Sequence, residues 1–106
     1  MDSAKLIFAE QLAGCSTGDK VRFLACVEEY KDGIVVVRDG GHRIKCDVSA
    51  VLPQIRVYRH EWVHCVGRKR ADDSVDVLLF QSAVGMDLAR YREMVVRRQA
   101  QDAFRP

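Results

Sequence analysis

The sequence predicts a mainly β domain, a small closed barrel followed by one C-terminal α-helix. Three observations carry that prediction. Short runs of β-branched and aromatic residues recur between Lys20 and Ser82, separated by Gly- and Asp-containing turns. The whole chain is 106 residues, the length of one domain with one core. From Asp87 onward the apolar period changes to that of a helix and holds to Phe104.

Taken in order, Ala4–Leu12 fits a short strand or a turn of helix equally well. Lys20–Tyr30 is the long first strand. Val21, Phe23, Ala25 and Val27 share one face; Arg22, Glu28 and Tyr30 share the other with the apolar Leu24 and Cys26. Lys31-Asp32-Gly33 turns the chain into the β-branched run Ile34–Val37. Asp39-Gly40-Gly41 is the strongest hairpin signal, because glycine takes a positive φ without a Cβ penalty. The return strand is His42–Val48, with Ile44, Cys46 and Val48 inward and Arg43, Lys45 and Asp47 outward. Ser49–Ile55, which contains Pro53, reads as a connector with room for a helical turn. A fourth strand is predicted over Tyr58–Lys69, and Ala71–Ser74 turns it into a fifth, Val75–Ser82. Strands in meander order leave open edges, and closing the sheet removes them. The expectation is therefore a five-stranded OB-fold barrel with a C-terminal α-helix, one domain over 1–106 with the barrel at 5–85 and the helix at 87–104. An SH3-like barrel is the rival, with shorter strands and no terminal helix.

In the helix, Asp87 can cap and the apolar pattern starts at Leu88. At 100° per residue, Leu88, Tyr91 and Val95 form one stripe with Met94 on one side. Ala89, Val96, Ala100 and Ala103 widen it on the other, and Arg90, Glu93, Arg97 and Gln101 make the polar back. A helix lying on its own barrel needs an apolar arc of about 100°, and this one spans roughly twice that. The plain reading is a broad core-facing helix. The sharper reading is a surplus face that docks a second protein, with Arg92 and Arg98 at the rim.

Charge and cysteine narrow the classes. Net charge is +2, with 7 Lys/Arg against 8 Asp/Glu in residues 1–50 and 10 against 7 in residues 51–106. A protein that binds nucleic acid on its own concentrates more positive charge than this, so any such binding is expected to be weak or shared. Cys15, Cys26, Cys46 and Cys65 form no C-x-x-C pair, and three of them fall inside predicted strands as small buried hydrophobes. Free thiols in a reducing compartment, cytosol or nucleus, are the expectation. No stretch is long and apolar enough to span a membrane, and none reads as a secretory signal.

Catalytic signatures fail one by one. His60-Glu61-Trp62-Val63-His64 has the H-E-x-x-H spacing of zinc proteases, which works only on a helix. Its flanks favour a strand, where residues four apart stand about 13 Å from each other. Cys26 or Cys65 could face His42 or His64, but strand-buried thiols are inert. Glu28-Glu29 and Asp72-Asp73 read as solvated acids, and no nucleophile elbow or phosphate loop is present. No enzyme, catalytic residue, metal ligand or cofactor is expected. Arg68-Lys69-Arg70 reads either as a solubilising turn or as the rim of a single-strand groove. Arg38, Arg43 and Lys45 would join it there, with Tyr30, Tyr58 and Trp62 as the available stacking residues, although Trp62 suits the core equally well.

Thr17-Gly18-Asp19-Lys20-Val21-Arg22-Phe23-Leu24-Ala25-Cys26-Val27, Val66-Gly67-Arg68-Lys69 and Ser82-Ala83-Val84-Gly85-Met86-Asp87-Leu88-Ala89-Arg90-Tyr91 resemble the Ten-one family, in particular its fungal members. This is the smallest subunit of the telomere-capping CST complex, and the resemblance runs from Met1 to about Gln99. A weaker likeness, in Val66-Gly67-Arg68 and Asp87–Tyr91, is to the smallest subunit of replication protein A. The Ten-one resemblance implies a non-enzymatic OB-fold at telomeres in the nucleus. It implies pairing with the Stn-one OB-fold subunit through the C-terminal helix, and weak binding of single-stranded telomeric DNA within the complex. Support of complementary-strand fill-in by polymerase alpha-primase is a further implication. Carried onto this chain, the partner contacts are Leu88, Tyr91, Met94, Val95 and Arg98. Residues 101–106 receive no guidance from it. The competing expectations are a replication protein A small subunit, a stand-alone single-strand-binding OB domain, and a zinc hydrolase built on His60 and His64.

Overall fold

The computed structural model describes residues 4–52, 55–83 and 88–103, apart from the side chains at 88–89 and 101–103. The ambiguous N-terminal segment holds both predicted forms: a two-residue strand β1 (Lys5–Leu6) and a 3-10 helix over Ala9–Gly14. Five longer strands follow: β2 (Lys20–Lys31), β3 (Ile34–Asp39), β4 (His42–Asp47), β5 (Trp62–Lys69) and β6 (Val75–Ser82). The helix α1 covers Leu88–Ala103. Asp87 as its cap, Phe104 as its end and Pro53 in the connector lie outside the described residues.

β2 organises the barrel because its 12 residues are long enough for two antiparallel partners. Its first half pairs with β5, from Lys20↔Arg68 to Cys26↔Trp62, and its second half with β3, from Cys26↔Arg38 to Lys31↔Ile34. Both glycine-containing turns form where expected. Asp32 and Gly33 take φ of 51° and 80° between β2 and β3, and Gly40 takes 62° between β3 and β4. The expected meander order is corrected. β4 does not pair with β5; it pairs in parallel with β6 at Cys46↔Val75 and Asp47↔Asp76, and β6 then pairs with β5. This crossover, with β2–β5 pairing, closes a five-stranded OB barrel to which β1 adds a short parallel edge.

The predicted start of the fourth strand is also corrected. The chain enters β5 at Trp62, because His60 is left-handed (φ 68°) in a turn where Glu61 N–H donates to the Tyr58 carbonyl. Val48, Val51 and Leu52 make the expected helical turn of the connector through bonds back to the Val48 carbonyl.

Apolar residues alternate along the strands, and the inward set fills the barrel. Val21, Phe23, Ala25, Val27, Val35, Val37, Cys46, Cys65, Val75 and Val77 are fully buried there. A second, smaller core lies outside the barrel wall. Leu24, which points out of β2, is buried with Phe8, Ala83, Tyr91 and Val95, and Leu6 and Trp62 pack at its margin. That seam is what fixes α1 to the barrel.

Candidate partner and nucleic-acid surfaces

Two surfaces are candidates: the outward side of α1, and the groove across the outer faces of β2, β3 and β4. On α1 the helical period separates the predicted contact residues into two groups. Tyr91 and Val95, one turn apart, are buried in the chain's own seam, at 7% and 0% exposure. Their expected role as partner contacts is therefore corrected. The Tyr91 hydroxyl donates to the Ile7 carbonyl at 3.1 Å and accepts from Leu24 N–H at 2.9 Å. Ile7 N–H donates to the Arg22 carbonyl, so a direct Leu24–Ile7 bond would be the next rung between these parallel segments. The phenol oxygen stands in that rung. Desolvation by burial pushes its pKa up to about 12.

The flank beside Tyr91 and Val95 is anchored too. Gln99 bonds to Gln11 and to the Leu6 carbonyl, while Arg92 pairs with Asp39 and Glu10 and lies 4.3 Å from the centre of the Phe8 ring. Met94 and Val96, by contrast, are 53% and 57% exposed, and Arg98 and Ala100 are also at the surface. The apolar surplus on α1 is thus real but narrower than the sequence implied. Of the five predicted contacts, Met94 and Arg98 face outward, and the Leu88 side chain lies outside the described residues. Trp62 is half-buried at the margin of the helix seam, away from the groove.

The six predicted groove cations do not act alike. Lys69 is corrected outright: it is 8% exposed, and its ammonium donates to the Ala13 and Cys15 carbonyls at 3.3 and 2.6 Å and pairs with Asp73 at 3.1 Å. It holds the end of the 3-10 helix against β5. Arg70 pairs with Asp47 at 3.0 Å and Asp76 at 3.4 Å, and Arg68 donates to the Gly18 carbonyl at 3.1 Å. Hydrogen bonds from Ser49, then Arg70, keep the Asp47 carboxyl below the usual carboxylate range. Arg38 and Arg43 stand opposite each other on β3 and β4 and both reach Glu28.

The groove itself is a chain of shallow depressions. One is lined by Lys31, Ile34, Val36, Lys45, Arg70 and Asp72, and the next by Glu28, Glu29, Val36, Arg43, Lys45 and Arg59. Tyr30, 44% exposed, and Arg59 border a third. Its floor and walls are the β3–β4 face and the loops after β2 and β5, the places where OB-folds take oligonucleotides. Sequence reasoning missed Arg59, because only the fold carries the connector back across β2, where Arg59 Nε donates to the Glu28 carbonyl at 3.2 Å.

The histidine pair is divided between two environments: His60 sits in the left-handed turn and His64 within β5. Burial first, then Arg22, lowers the His64 pKa. Burial raises the Cys26 thiol pKa, and Cys65 is fully buried inside the barrel. Among the described residues no group of three or more His, Cys, Asp or Glu side chains is arranged to hold a metal, and no helix is long and apolar enough to cross a membrane.

Comparison with known proteins gives a consistent set of relatives. The family Ten1, described as "Telomere capping, CST complex subunit", matches residues 1–96. Protein ten1 of Schizosaccharomyces pombe is 55% identical over 102 residues, spanning 96% of this chain and 100% of that protein. A chain of the crystal structure of the S. pombe Stn1–ten1 complex superposes with a TM-score of 0.89 at 55% identity, covering 93% of this chain and 94% of that one. A chain of U. maydis replication protein A bound to single-stranded DNA superposes with a TM-score of 0.76 at 17% identity, over 94% and 93%. At that identity the likeness speaks for the OB-fold alone.

Proposed function

The chain belongs to the Ten1 family of telomere-capping CST complex subunits, and on that premise we propose that it acts as half of a heterodimer with an Stn1-type OB partner. It is a non-enzymatic subunit that folds as one OB domain over 1–106 and offers the outward side of α1 to that partner. The observation that carries this reading is the near full-length match, at 55% identity, to a chain of the Stn1–ten1 complex. The exposed Met94 and Val96 support the choice of surface, since a helix whose inner stripe is already satisfied has no internal use for them. Tyr91 and Val95 serve the interface indirectly by fixing α1 to the barrel. Arg98 stands beside Met94, and Leu88 completes the proposed contact set.

Within the heterodimer the groove adds weak binding of single-stranded telomeric DNA through Arg38, Arg43, Lys45 and Arg59. The placement follows: a nuclear protein at chromosome ends, where the assembled complex supports fill-in synthesis by polymerase alpha-primase. The test is purification of the tagged chain from its native extract with a parallel Met94→Glu/Val96→Glu variant. Recovery of an Stn1-type subunit by the wild type and its loss in the variant, at unchanged thermal stability of the isolated chain, is the expected result. Recovery of the replication protein A middle subunit instead would overturn the assignment.

A further inference from the structure

The groove is lined by side chains of both signs, and one of its acids, Glu28, holds the arginines Arg38 and Arg43. β2 carries a β-bulge between Val27 and Glu29: Val27 pairs with Val37 and Glu29 with Val36, which leaves Glu28 as the extra residue. A bulge re-aims a side chain, and here the carboxylate reaches the arginines of the neighbouring hairpin. Arg43 grips it with two nitrogens, Nε to one oxygen at 2.9 Å and an Nη to the other at 3.1 Å. Arg38 stands at 3.9 Å from it, and Arg59 is held to the backbone carbonyl of the same residue at 3.2 Å. A two-point guanidinium clamp on a carboxylate is the geometry with which arginine also takes a phosphate.

The pairing has a structural reason of its own. Arg38 and Arg43 are directly opposed across β3 and β4, and like charges in that position repel. An anion between them relieves the repulsion, and Glu28, with its side chain 29% exposed against 53% and 64% for the two arginines, is seated deeper than they are. A strand of nucleic acid entering the groove would therefore exchange one anion for another at Arg38 and Arg43 instead of neutralising bare cations.

We propose that Glu28 is a built-in competitor for the phosphates of single-stranded nucleic acid, a residue that sets the groove's affinity low. This rests on the reading of the groove as a single-strand site. Removing the charge at Glu28 is expected to leave Arg38 and Arg43 available to phosphate. Each added contact on a single strand steepens the salt dependence by about 0.7 in log–log slope, which at ~0.1 M salt is roughly fivefold in affinity and about 25-fold for two contacts.

The experiment is fluorescence anisotropy of a labelled oligo-dT of about 12 nucleotides, within the span of one OB groove, titrated with the full chain and with its heterodimer across a salt series. Glu28→Gln keeps the size and the exposed position, and circular dichroism checks its fold. The expected result is tighter binding with a steeper slope, reversed when Arg43→Ala is added. Unchanged affinity and slope in Glu28→Gln, while Lys45→Glu weakens the wild type, overturns the competitor role and leaves the groove reading standing. A gain that persists after Arg43→Ala overturns it as well, since net charge alone would then account for it. Indifference of the wild type to both Lys45→Glu and Arg43→Ala removes the groove reading and the inference together.

Discussion

Replacing Tyr91 by Phe removes one oxygen and leaves the ring in place, so it isolates the rung in which the phenol stands. Leu24 N–H and the Ile7 carbonyl then lose their partner inside a buried seam. Each unsatisfied buried group costs about 1–3 kcal/mol. Allowing for partial closure of the two backbones onto each other, we expect a loss of roughly 2–4 kcal/mol. At about 4–8 °C per kcal/mol for a domain near 100 residues, that lowers the Tm on the order of 10–30 °C. The assay is urea and thermal unfolding of the isolated chain followed by circular dichroism, with partner binding measured at a temperature where both forms are folded.

A second reading comes from pH. The Tyr91 pKa, about 12 when folded, lies above the unfolded value of 10, because the buried phenol resists ionisation. Its contribution is fully present below pH 10 and is lost as pH rises toward 12, at about 1.4 kcal/mol per pH unit over that window. Tyr91→Phe should lack this part of the alkaline decline. A variant with wild-type stability that nevertheless failed to bind its partner would refute the placement of Tyr91 in the chain's own core.

Two other substitutions probe separate joints. Lys69→Met keeps the stem but strips the ammonium from the Ala13 and Cys15 carbonyls, and should cost about 1–3 kcal/mol in chemical denaturation; oligonucleotide affinity should stay at the wild-type value, and a clear loss there would restore Lys69 to the groove. Gly67→Ala should be among the most damaging exchanges in the barrel, because a Cβ would overlap the Asp76 carbonyl and Val75 Cγ1 beside the bulge in β5–β6 pairing; overpacking of this kind costs about 1–3 kcal/mol, more where backbone is struck, and an alanine variant with unchanged midpoint would contradict the close approach.

Much of the barrel is legible because its signals are local. The alternation in Lys20–Tyr30, the β-branched Ile34–Val37 and the glycine turns depend on neighbours within a few residues, and those elements form where the pattern puts them. The start of β5 is not local: nothing in Tyr58–Glu61 announces that His60 takes a left-handed turn while its N–H bonds to the Val27 carbonyl of β2. The 4–6 crossover is likewise invisible, since parallel pairing of Cys46 with Val75 is decided by closure of the whole sheet.

The same division runs through the site residues. Periodicity places Met94, Tyr91 and Val95 on neighbouring stripes, but it says nothing of which stripe the barrel has already claimed. Leu24 decides that. It lies on the outer face of β2 and is 1% exposed, because Tyr91 and Val95, with Phe8 and Ala83, pack against it. A run of three cations, Arg68-Lys69-Arg70, reads as one unit along the chain, yet strand alternation turns Lys69 into the structure and its neighbours away from it.

By itself, then, the sequence determined a small OB-fold barrel with a terminal helix, the absence of any recognisable catalytic signature, and a family likeness that the comparisons bear out. Those conclusions rest on composition, period and turn chemistry, each of which acts over short stretches of chain. Only the tertiary structure decided which apolar residues of α1 are spent on the chain's own core, which cations remain on a surface, and that Glu28 lies among the groove arginines. Burial and charge pairing are sums over residues far apart in sequence, and they take a value only once the chain has closed.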